Sequence, residues 1–279
     1  MGCVRAVLGS VLLVLSMAGC ASPPPSAEGA KLAFAGETTQ LDLLKRPGES
    51  ASSPYLRGGL AGRTIRVSRL SDIRLGPREV VLTFDDGPMP GKTAKILDTL
   101  DLFGVKATFL MVGQMARAYP DLVRKVAARG HTIGSHTENH ANLRGLGSVA
   151  AARQIDRGRA SIDAALGPSR RRAAPFFRFP YLADTPALRA SLAAQGIVVI
   201  DSDIDSKDYF QSSPDQLRRR TMERIAARGS GIVLMHDIHA RSAAMLPGLL
   251  ADLKARGYRV VHLAPGSSRG PEILVSQAD

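Results

Sequence analysis

The sequence predicts an α/β fold that is built on parallel strands. From Glu79 onward, seven apolar runs alternate with six stretches of helical periodicity. Alternation of this kind places helices outside a parallel sheet. An arginine followed by glycine stands before several of the strand runs, as at Arg129-Gly130, and this pairing is typical of helix ends. These patterns leave a barrel and an open doubly wound sheet as alternatives.

Each element rests on its own local pattern. The strand runs are short and rich in Val, Ile, Leu and Phe, whereas the helical stretches repeat apolar residues every three or four positions. The stretch 214–228 also begins with a capping Ser213, a proline and Gln216, which is a typical helix start. The predicted strands are 80–84, 105–112, 131–135, 176–179, 197–200, 231–235 and 258–263. The predicted helices are 93–103, 115–129, 148–166, 186–195, 214–228 and 243–256.

The first residues predict export from a bacterium. The apolar run 6–17 is too short for a bilayer span of about 20 residues and fits a secretory signal at 1–19. The ending Ala18-Gly19-Cys20 resembles a lipoprotein cleavage site, which would make Cys20 the lipidated first residue of the mature chain. An ordinary signal with a chance cysteine is the alternative. The prediction is a protein of the bacterial envelope, anchored to a membrane and facing the periplasm or the exterior.

The rest of the chain divides into a tether, an unassigned extension, a regular domain and a tail. The tether at 20–30 is rich in proline and serine, and the extension at 31–77 has only short apolar pieces. The regular strand–helix domain occupies 78–266 and the tail occupies 267–279.

Cysteine content and charge exclude several classes of protein. Both cysteines, Cys3 and Cys20, lie in the first twenty residues, which excludes a disulfide-stapled fold and a cysteine-ligated zinc site. The formal net charge of +12 indicates anionic surroundings without identifying them. Export and the absence of a clustered basic arm argue against nucleic acid as a partner.

Polar clusters follow the strand runs, at the ends where functional groups gather in parallel α/β folds. The first cluster is TFDDGP at 83–88. The adjacent carboxylates Asp85 and Asp86 repel each other, so that keeping both ionised requires a cation or separate roles. The alternative is a simple turn, for which Asp-Asp-Gly-Pro is also suited.

The second cluster is HTENH at 136–140. His136 and His140 are four residues apart and would share one face of a helical turn, which suits a common metal ion. The zincin pattern requires glutamate directly after the first histidine, and Thr137 stands there instead, so that motif is excluded. Two unrelated polar histidines are the alternative.

Three further clusters follow the later strand runs. Arg178 lies within FRFPY at 177–181, where a surface ion pair is the ordinary explanation. The segment 201–209 is rich in aspartate and could be a cation-binding loop or a polar connection. His236 follows the very apolar run 231–235, and a buried structural histidine is the alternative there.

The order and types of these five clusters resemble the polysaccharide deacetylases, the NodB-homology or carbohydrate esterase family 4 enzymes. The resemblance covers about residues 79–265. TFDDGP matches without change, HTENH matches the family's HTxxH, and the third cluster matches Arg-x-Pro-Tyr. The fourth motif ends in Tyr209 where the family commonly has Trp, and the fifth keeps Leu234 two residues before His236. The resemblance implies a distorted (β/α)7 barrel with the site at the carboxyl ends of its strands.

The resemblance also implies a metal site and a base. Asp86, His136 and His140 would hold one divalent transition metal, for which zinc is expected and cobalt or nickel are alternatives. Asp85 would take a proton from the attacking water, and Arg178 would hold Asp85 in place.

The same resemblance implies an acid and contacts to substrate. His236 would protonate the departing amine, and Asp208 would orient that imidazole. The backbone N–H of Tyr181 would bind the developing oxyanion, and Leu234 would line the pocket for the acetate methyl. Tyr209 would pack on a sugar face, with less area than Trp and an added hydroxyl. His131, His239 and His262 have no motif role and are predicted to be structural.

The sequence therefore predicts an exported hydrolase that removes N-acetyl groups from an N-acetylhexosamine polymer or oligomer and releases acetate. An N-acetylated glycan and the membrane are its predicted partners, and neither nucleic acid nor a protein partner is predicted. A non-catalytic glycan-binding module and a related C–N hydrolase of a small amide are the alternatives. Peptidoglycan, chitooligosaccharide and poly-N-acetylglucosamine all remain open as substrates.

Overall fold

The computed structural model describes residues 59–167 and 171–266. Several sequence predictions lie outside these residues and are not tested by the structure. They concern the signal at 1–19, Cys20, the tether at 20–30, the first part of the extension at 31–58, and the tail at 267–279.

Within the described residues, strands and helices alternate along the chain as the sequence predicts. The strands are β1 (Ala61–Val67), β2 (Glu79–Asp85), β3 (Thr108–Met111), β4 (Thr132–Ser135), β5 (Phe176–Phe177), β6 (Val198–Val199), β7 (Ile204–Asp205), β8 (Gly231–His236) and β9 (Arg259–Pro265). The helices are α1 (Thr93–Leu102), α2 (Gly113–Ala118), α3 (Pro120–Ala128), α4 (Ser148–Leu166), α5 (Pro186–Ala194), α6 (Pro214–Arg228) and α7 (Ala240–Ala255).

The strands form a parallel sheet that curves into an incomplete barrel. β2 pairs with β3 on one side and with β8 on the other, and the sheet continues from β3 through β4 and β5 to β6. β7 pairs with β8. No pairing joins β6 to β7 within the described residues, so the ring of seven strands is open at that seam. This is the distorted (β/α)7 architecture that the resemblance implies.

The last strand, β9, does not occupy the seventh position of the barrel, where the sequence predicts it. β9 pairs with β1 along most of its length and with β2 only at Glu79 and Val80. The seventh barrel position is taken by the two-residue β7, inside the aspartate-rich segment that the sequence leaves as a loop. Asp203 explains where β7 begins, because its N–H donates to the Ile232 carbonyl at 3.0 Å and its carboxylate accepts from the Ile232 N–H at 2.9 Å.

Two cores lie on the two faces of β2 and direct its side chains. Leu82 and Phe84 pack in the outer core together with residues of α1, α6 and α7. Val81 packs in a separate core with residues of β1, β3 and β9. Because side chains alternate along a strand, Thr83 and Asp85 face the same way as Val81, toward the barrel interior. Burying a Leu or Phe side chain contributes about 1.5–3 kcal/mol to the free energy of folding. The burial of Leu82 and Phe84 in the outer core therefore fixes Thr83 and Asp85 on the opposite face of β2.

The helix predicted over 115–129 is two helices, α2 and α3. They meet at Tyr119, and Pro120 is the first residue of α3. Proline lacks an N–H and its ring collides with the preceding turn, so it starts a helix far more readily than it continues one. The break turns α2 toward the strand ends, where it contacts the loop after β4.

Helix α6 holds the aspartate-rich loop in position. It begins with the predicted capping box, since the Ser213 Oγ accepts from the Gln216 N–H at 3.2 Å and the Gln216 side chain accepts from the Ser213 N–H at 3.0 Å. On its inner side, Arg224 donates to the Asp205 carbonyl and Arg220 to the Lys207 carbonyl, both at 2.8 Å. These bonds fix the loop that leads to Asp208.

Among residues 59–167 and 171–266, no helix combines the length and the apolarity that crossing a membrane requires.

Candidate active site

The two adjacent aspartates diverge at the end of β2. Asp85 is the last residue of the strand and is 2% exposed. Asp86 has a φ of 76°, in the left-handed region that a non-glycine residue rarely adopts. The two carboxylates have different partners, since Asp85 accepts from Arg178 whereas the Asp86 Oδ1 faces His136 and His140, so they can act separately.

Asp86, His136 and His140 come together at the strand ends. The Asp86 Oδ1 lies 3.5 Å from the His136 Nε2 and 3.3 Å from the His140 Nε2. The same oxygen is buried and has no hydrogen-bond partner among the described residues. A buried carboxylate oxygen that faces two imidazole nitrogens without a hydrogen bond fits a cation. The two nitrogens and one carboxylate suit zinc or a similar transition metal.

The surroundings of His136 prepare its ring for a metal. Its Nδ1 lies 2.8 Å from the Arg178 carbonyl, which can only accept, so the proton is on Nδ1 and the Nε2 lone pair faces Asp86. Burial lowers the pKa of His136 and outweighs the attraction of Asp85 and Asp86. The ring is therefore neutral at pH 7, as a metal ligand must be.

Arg178 fixes the carboxylate of Asp85 by a hydrogen bond. One guanidinium nitrogen donates both to the Asp85 Oδ1 and to the Thr83 Oγ1 at 2.8 Å. The remaining nitrogens donate to the Ile200 carbonyl at 2.8 Å and to the Asp201 carbonyl at 3.0 Å. Arg178 is 1% exposed, so this planar fork has one conformation available. Motif reasoning missed Thr83, although it stands two residues before Asp85 and hence on the same face of the strand.

His236 and Asp208 form the second titrating pair. The His236 Nδ1 lies 2.6 Å from the Asp208 Oδ1, and the His236 N–H donates to the other carboxylate oxygen at 2.7 Å. Ser242 also donates to Asp208, a contact that motif reasoning missed. Burial by itself would lower the pKa of His236, but the hydrogen bond and charge of Asp208, with Asp85 and Asp86, raise the pKa to about 9. His236 is therefore an imidazolium at neutral pH.

Asp208 carries the opposite charge of this pair. Burial would raise its pKa, but the hydrogen bonds from His236 and Ser242 hold the pKa of Asp208 below its ordinary value. The carboxylate is fully buried, whereas the His236 side chain is 13% exposed. The Nδ1 of the imidazolium thus contacts Asp208, and the exposed part of the ring faces the surface of the site.

A third carboxylate, which motif reasoning missed, lies beneath the TFDDGP turn. Asp237 is fully buried, accepts from the Thr93 Oγ1 at 2.6 Å, and has a pKa raised to about 7 by burial. A Cβ at Gly87 would lie 2.1 Å from both Asp237 oxygens, so only glycine fits at that position. Asp237 therefore explains the glycine of the turn.

Exposed aromatic rings stand on two sides of these groups. The Tyr181 side chain is 66% exposed, packs edge-on against His140, and has a backbone φ of 60°. Tyr209 is 45% exposed, packs against His236 and donates to the Asp205 carboxylate at 2.8 Å. Leu234 is buried in β8, two residues before His236.

The remaining histidines are arranged as follows. The His131 Nδ1 accepts from the Ala107 N–H at 3.2 Å, and the His262 Nε2 lies 2.9 Å from the Thr132 Oγ1. His131 precedes the amino end of β4 and His262 lies within β9, so neither is at the carboxyl end of a strand. His239 lies beside His236, with ring centroids 5.8 Å apart.

The fold and the site together define a class. The Asp-His-His cluster lies beside the Asp85 carboxylate, and Asp85 pairs in register with His236 at the carboxyl ends of β2 and β8. Such a set of groups is suited to hydrolysis at a polarised carbonyl. The sequence model of the polysaccharide deacetylases matches residues 72–200. A chitin deacetylase from Colletotrichum lindemuthianum is 32% identical over 211 residues, which are 70% of this chain and 82% of that protein. The chain belongs to the polysaccharide deacetylase family, whose enzymes hydrolyse carbon–nitrogen bonds in N-acetylated glycans.

Other relatives agree on the family and differ in substrate. A peptidoglycan-N-acetylglucosamine deacetylase from Bacillus cereus is 36% identical over 185 residues, covering 63% of this chain and 66% of its own length. Among solved structures, the peptidoglycan deacetylase Bd3279 from Bdellovibrio bacteriovorus is 36% identical with a TM-score of 0.64, covering 70% of this chain and 54% of its own.

The family also contains a member described as a pseudoenzyme. The structure of a BA3943 mutant with restored activity, derived from a Bacillus anthracis protein, is 26% identical with a TM-score of 0.60. It covers 66% of this chain and 65% of its own. Activity in this family therefore depends on individual residues of the site.

Proposed function

We propose that this protein is a metal-dependent deacetylase of the bacterial cell envelope, acting on N-acetylhexosamine residues of a polysaccharide or oligosaccharide. One observation carries the proposal. The Asp85 carboxylate, fixed by Arg178, lies beside the Asp86–His136–His140 cluster, with its Oδ2 3.9 Å from the His136 Nε2. Asp85 also pairs in register with His236, the imidazolium that Asp208 fixes, so a candidate base and a candidate acid stand on neighbouring strands at the cluster. A binding module has no need of this pair, which argues against the non-catalytic alternative.

Asp86, His136 and His140 would hold the divalent metal. When bound, it polarises the acetamide carbonyl and makes water a stronger acid, which lowers the barrier to attack at neutral pH. The zinc ion is the best match for two imidazoles and one carboxylate, with cobalt and nickel as alternatives.

Asp85 is the base in this proposal. Its Oδ1 is held by Arg178, and its Oδ2 lies 3.9 Å from the His136 Nε2, so the second oxygen faces the space beside the metal cluster. There it can take a proton from the attacking water. The N–H of Tyr181, in the turn at Pro180–Leu182, is the proposed donor to the oxyanion that develops on the carbonyl.

His236 is the acid in this proposal. The bond to the carbonyl carbon breaks only if the leaving nitrogen receives a proton, because an amide anion is a very poor leaving group. With a pKa of about 9 the imidazolium is populated at neutral pH, and Asp208 returns it to the same orientation after each turnover. Leu234 is proposed to line the pocket for the acetate methyl.

The open rim supports a glycan rather than a small amide as the substrate. Tyr181 and Tyr209 expose their rings at the site, and the His140 side chain is 30% exposed. Aromatic faces of this kind can pack on sugar rings, whereas a site for a small amide would be more enclosed.

Acetate release from defined glycans tests the proposal. Protein loaded with zinc, cobalt or nickel is incubated with peptidoglycan, chitooligosaccharides and poly-N-acetylglucosamine, and free acetate and new amines are measured. We expect acetate and amine in equal amounts from at least one glycan, and no acetate after chelation of the metal. Glycan binding without acetate release from any of the three would instead support the non-catalytic module.

We also propose that Cys20 carries lipid and anchors the protein to a membrane. The support is the Ala18-Gly19-Cys20 ending and the Pro-rich segment after it. A single acyl chain binds only marginally, so the several chains of a lipoprotein would be required. Changing Cys20→Ala should release the protein from the membrane fraction or block its maturation. The idea is wrong if fractionation is unchanged and the wild-type chain takes up no lipid label.

A further inference from the structure

The loop that carries the two histidines has an unfavourable backbone. Thr137 has a φ of 69° and His140 a φ of 60°, both in the left-handed region. A residue held there costs about 1–3 kcal/mol, and a β-branched residue such as Thr is especially rare. The loop therefore keeps this shape only if its surroundings impose it.

Glu138 ties the loop to helices α2 and α4. It is 4% exposed, and its carboxylate accepts from Arg117 of α2 and from the Ser161 Oγ of α4, the latter at 2.9 Å. Arg117 also donates to the Ser161 Oγ at 2.8 Å, which closes a three-membered network. None of these side chains is among the predicted metal ligands, the base or the acid.

Backbone bonds join the same elements. The N–H of Gly113, the first residue of α2, donates to the Thr137 carbonyl at 2.9 Å. The Gln114 N–H donates to the Glu138 carbonyl at 2.8 Å. The loop is thus bonded to α2 through its main chain as well as through its side chain.

Helix α4 approaches the loop through a glycine. A Cβ at Gly158 would lie 2.5 Å from the Thr137 carbonyl carbon and 2.6 Å from its oxygen. Both are backbone atoms, so an alanine there must displace either the loop or the helix. Gly158 is in the interior of a helix, where glycine is about 1 kcal/mol less favourable than alanine. Its presence is explained by the close approach.

We propose that Glu138, Arg117, Ser161 and Gly158 form a loop support that sets the affinity and geometry of metal binding at Asp86, His136 and His140. The support holds Thr137 in the left-handed conformation, and thereby aims both imidazoles at Asp86. These are positioning residues, since they act through the histidines. The inference rests on the metal site of the proposed function.

The substitution Gly158→Ala tests the close approach. We expect the dissociation constant for zinc, measured by competition with a chromogenic chelator, to rise about 10–100-fold. The visible spectrum of the cobalt-loaded protein should change as well, because the ligand angles change. The matched control is Gly248→Ala in α7, where the nearest atom to the added Cβ belongs to the flexible Arg218 side chain. The control should keep the wild-type affinity and spectrum.

The Glu138 substitutions test the side-chain network. Glu138→Ala should weaken zinc binding about 10-fold or more. Glu138→Gln keeps the size, and its amide oxygen can accept from Arg117 while its NH2 donates to the Ser161 Oγ, so this variant should recover much of that loss. Ser161→Ala removes only a hydroxyl and should weaken zinc binding less than Glu138→Ala does. This variant should fold normally, so it tests the network even if Gly158→Ala fails to fold.

A destabilised control separates positioning from stability. Leu253 is fully buried in α7, and Leu253→Ala should lower the melting temperature while keeping the wild-type zinc affinity. The inference is wrong if Glu138→Ala and Ser161→Ala bind zinc as the wild type does, or if Leu253→Ala weakens binding as much as they do. A wild-type protein that binds no metal would overturn the proposed metal site itself.

Discussion

Replacing Asp85 with asparagine is expected to stop turnover while the protein keeps its metal. Asparagine is nearly isosteric and its amide oxygen can still accept from Arg178, which is 2.8 Å from Asp85. The amide cannot take a proton from water, so kcat should fall about 10²–10⁴-fold. Metal content, measured by mass spectrometry of the dialysed protein, should stay near one ion per chain.

The neighbouring aspartate should behave differently. Asp86→Ala removes the oxygen that faces His136 and His140, so metal content and activity should fall together. Asp98→Asn is the control for the substitution itself, because Asp98 is an exposed residue of α1 whose partner is Arg129. Equal loss of metal from the Asp85 and Asp86 variants would contradict the separate roles.

Replacing Asp208 with asparagine is expected to move the alkaline limb of the pH–rate profile to lower pH. His236 must be protonated to act as an acid, so activity falls as the pH rises through its pKa. Asp208 is the main contributor that raises this pKa to about 9. Either orientation of an amide at position 208 sets an N–H against a donor, the imidazolium on one side or the His236 N–H on the other. The imidazolium loses its support and its pKa falls.

The size of the effect and its control follow from the same contacts. Proton delivery of this kind is worth about 10²–10⁴-fold in rate, so kcat should fall strongly at all pH values above the new pKa. The negative charge of Asp86 helps to raise the pKa of His236, and a cation bound at Asp86 would offset that charge. The alkaline limb of the wild-type pH–rate profile should therefore lie at or below pH 9. The quantity to compare is the shift of this limb between the wild type and Asp208→Asn. Asp205→Asn is the control, because Asp205 bonds Tyr209 and not His236. An unchanged limb in Asp208→Asn would mean that another group supplies the proton.

The nature of the chemistry could be predicted from the sequence because the groups that carry it are close together along the chain. TFDDGP and HTENH each place their functional residues within five or six positions, and each follows an apolar run. The structure brings both to the carboxyl ends of β2 and β4, which are separated in the sheet by β3 alone. Local spacing and parallel pairing of the strands are sufficient to predict that the two motifs lie at the same end of the sheet.

Short strands were harder to predict than the motifs at their ends. β5 and β6 have two residues each inside longer apolar runs, and β7 is made from a segment that is mostly aspartate and serine. β1 lies in AGRTIRV, of which only Ile65 and Val67 are buried. These strands are defined by their hydrogen bonds to an adjacent strand, and their own amino-acid composition does not indicate which strand that is.

Periodicity and adjacency are local properties, so the parallel α/β class, the order of the polar clusters and the residue types of the site could be predicted from the amino-acid sequence. Three features follow from the packing of the folded chain: the barrel is open between β6 and β7 in the described residues, Asp86 has a left-handed backbone, and Glu138 is buried against α2 and α4. These features join residues that are far apart in the sequence: Ser161 is 23 residues from Glu138, and Ser242, whose contact with Asp208 was also missed, is 34 residues from it. Contacts of that range depend on how helices and strands pack, and no local pattern records them.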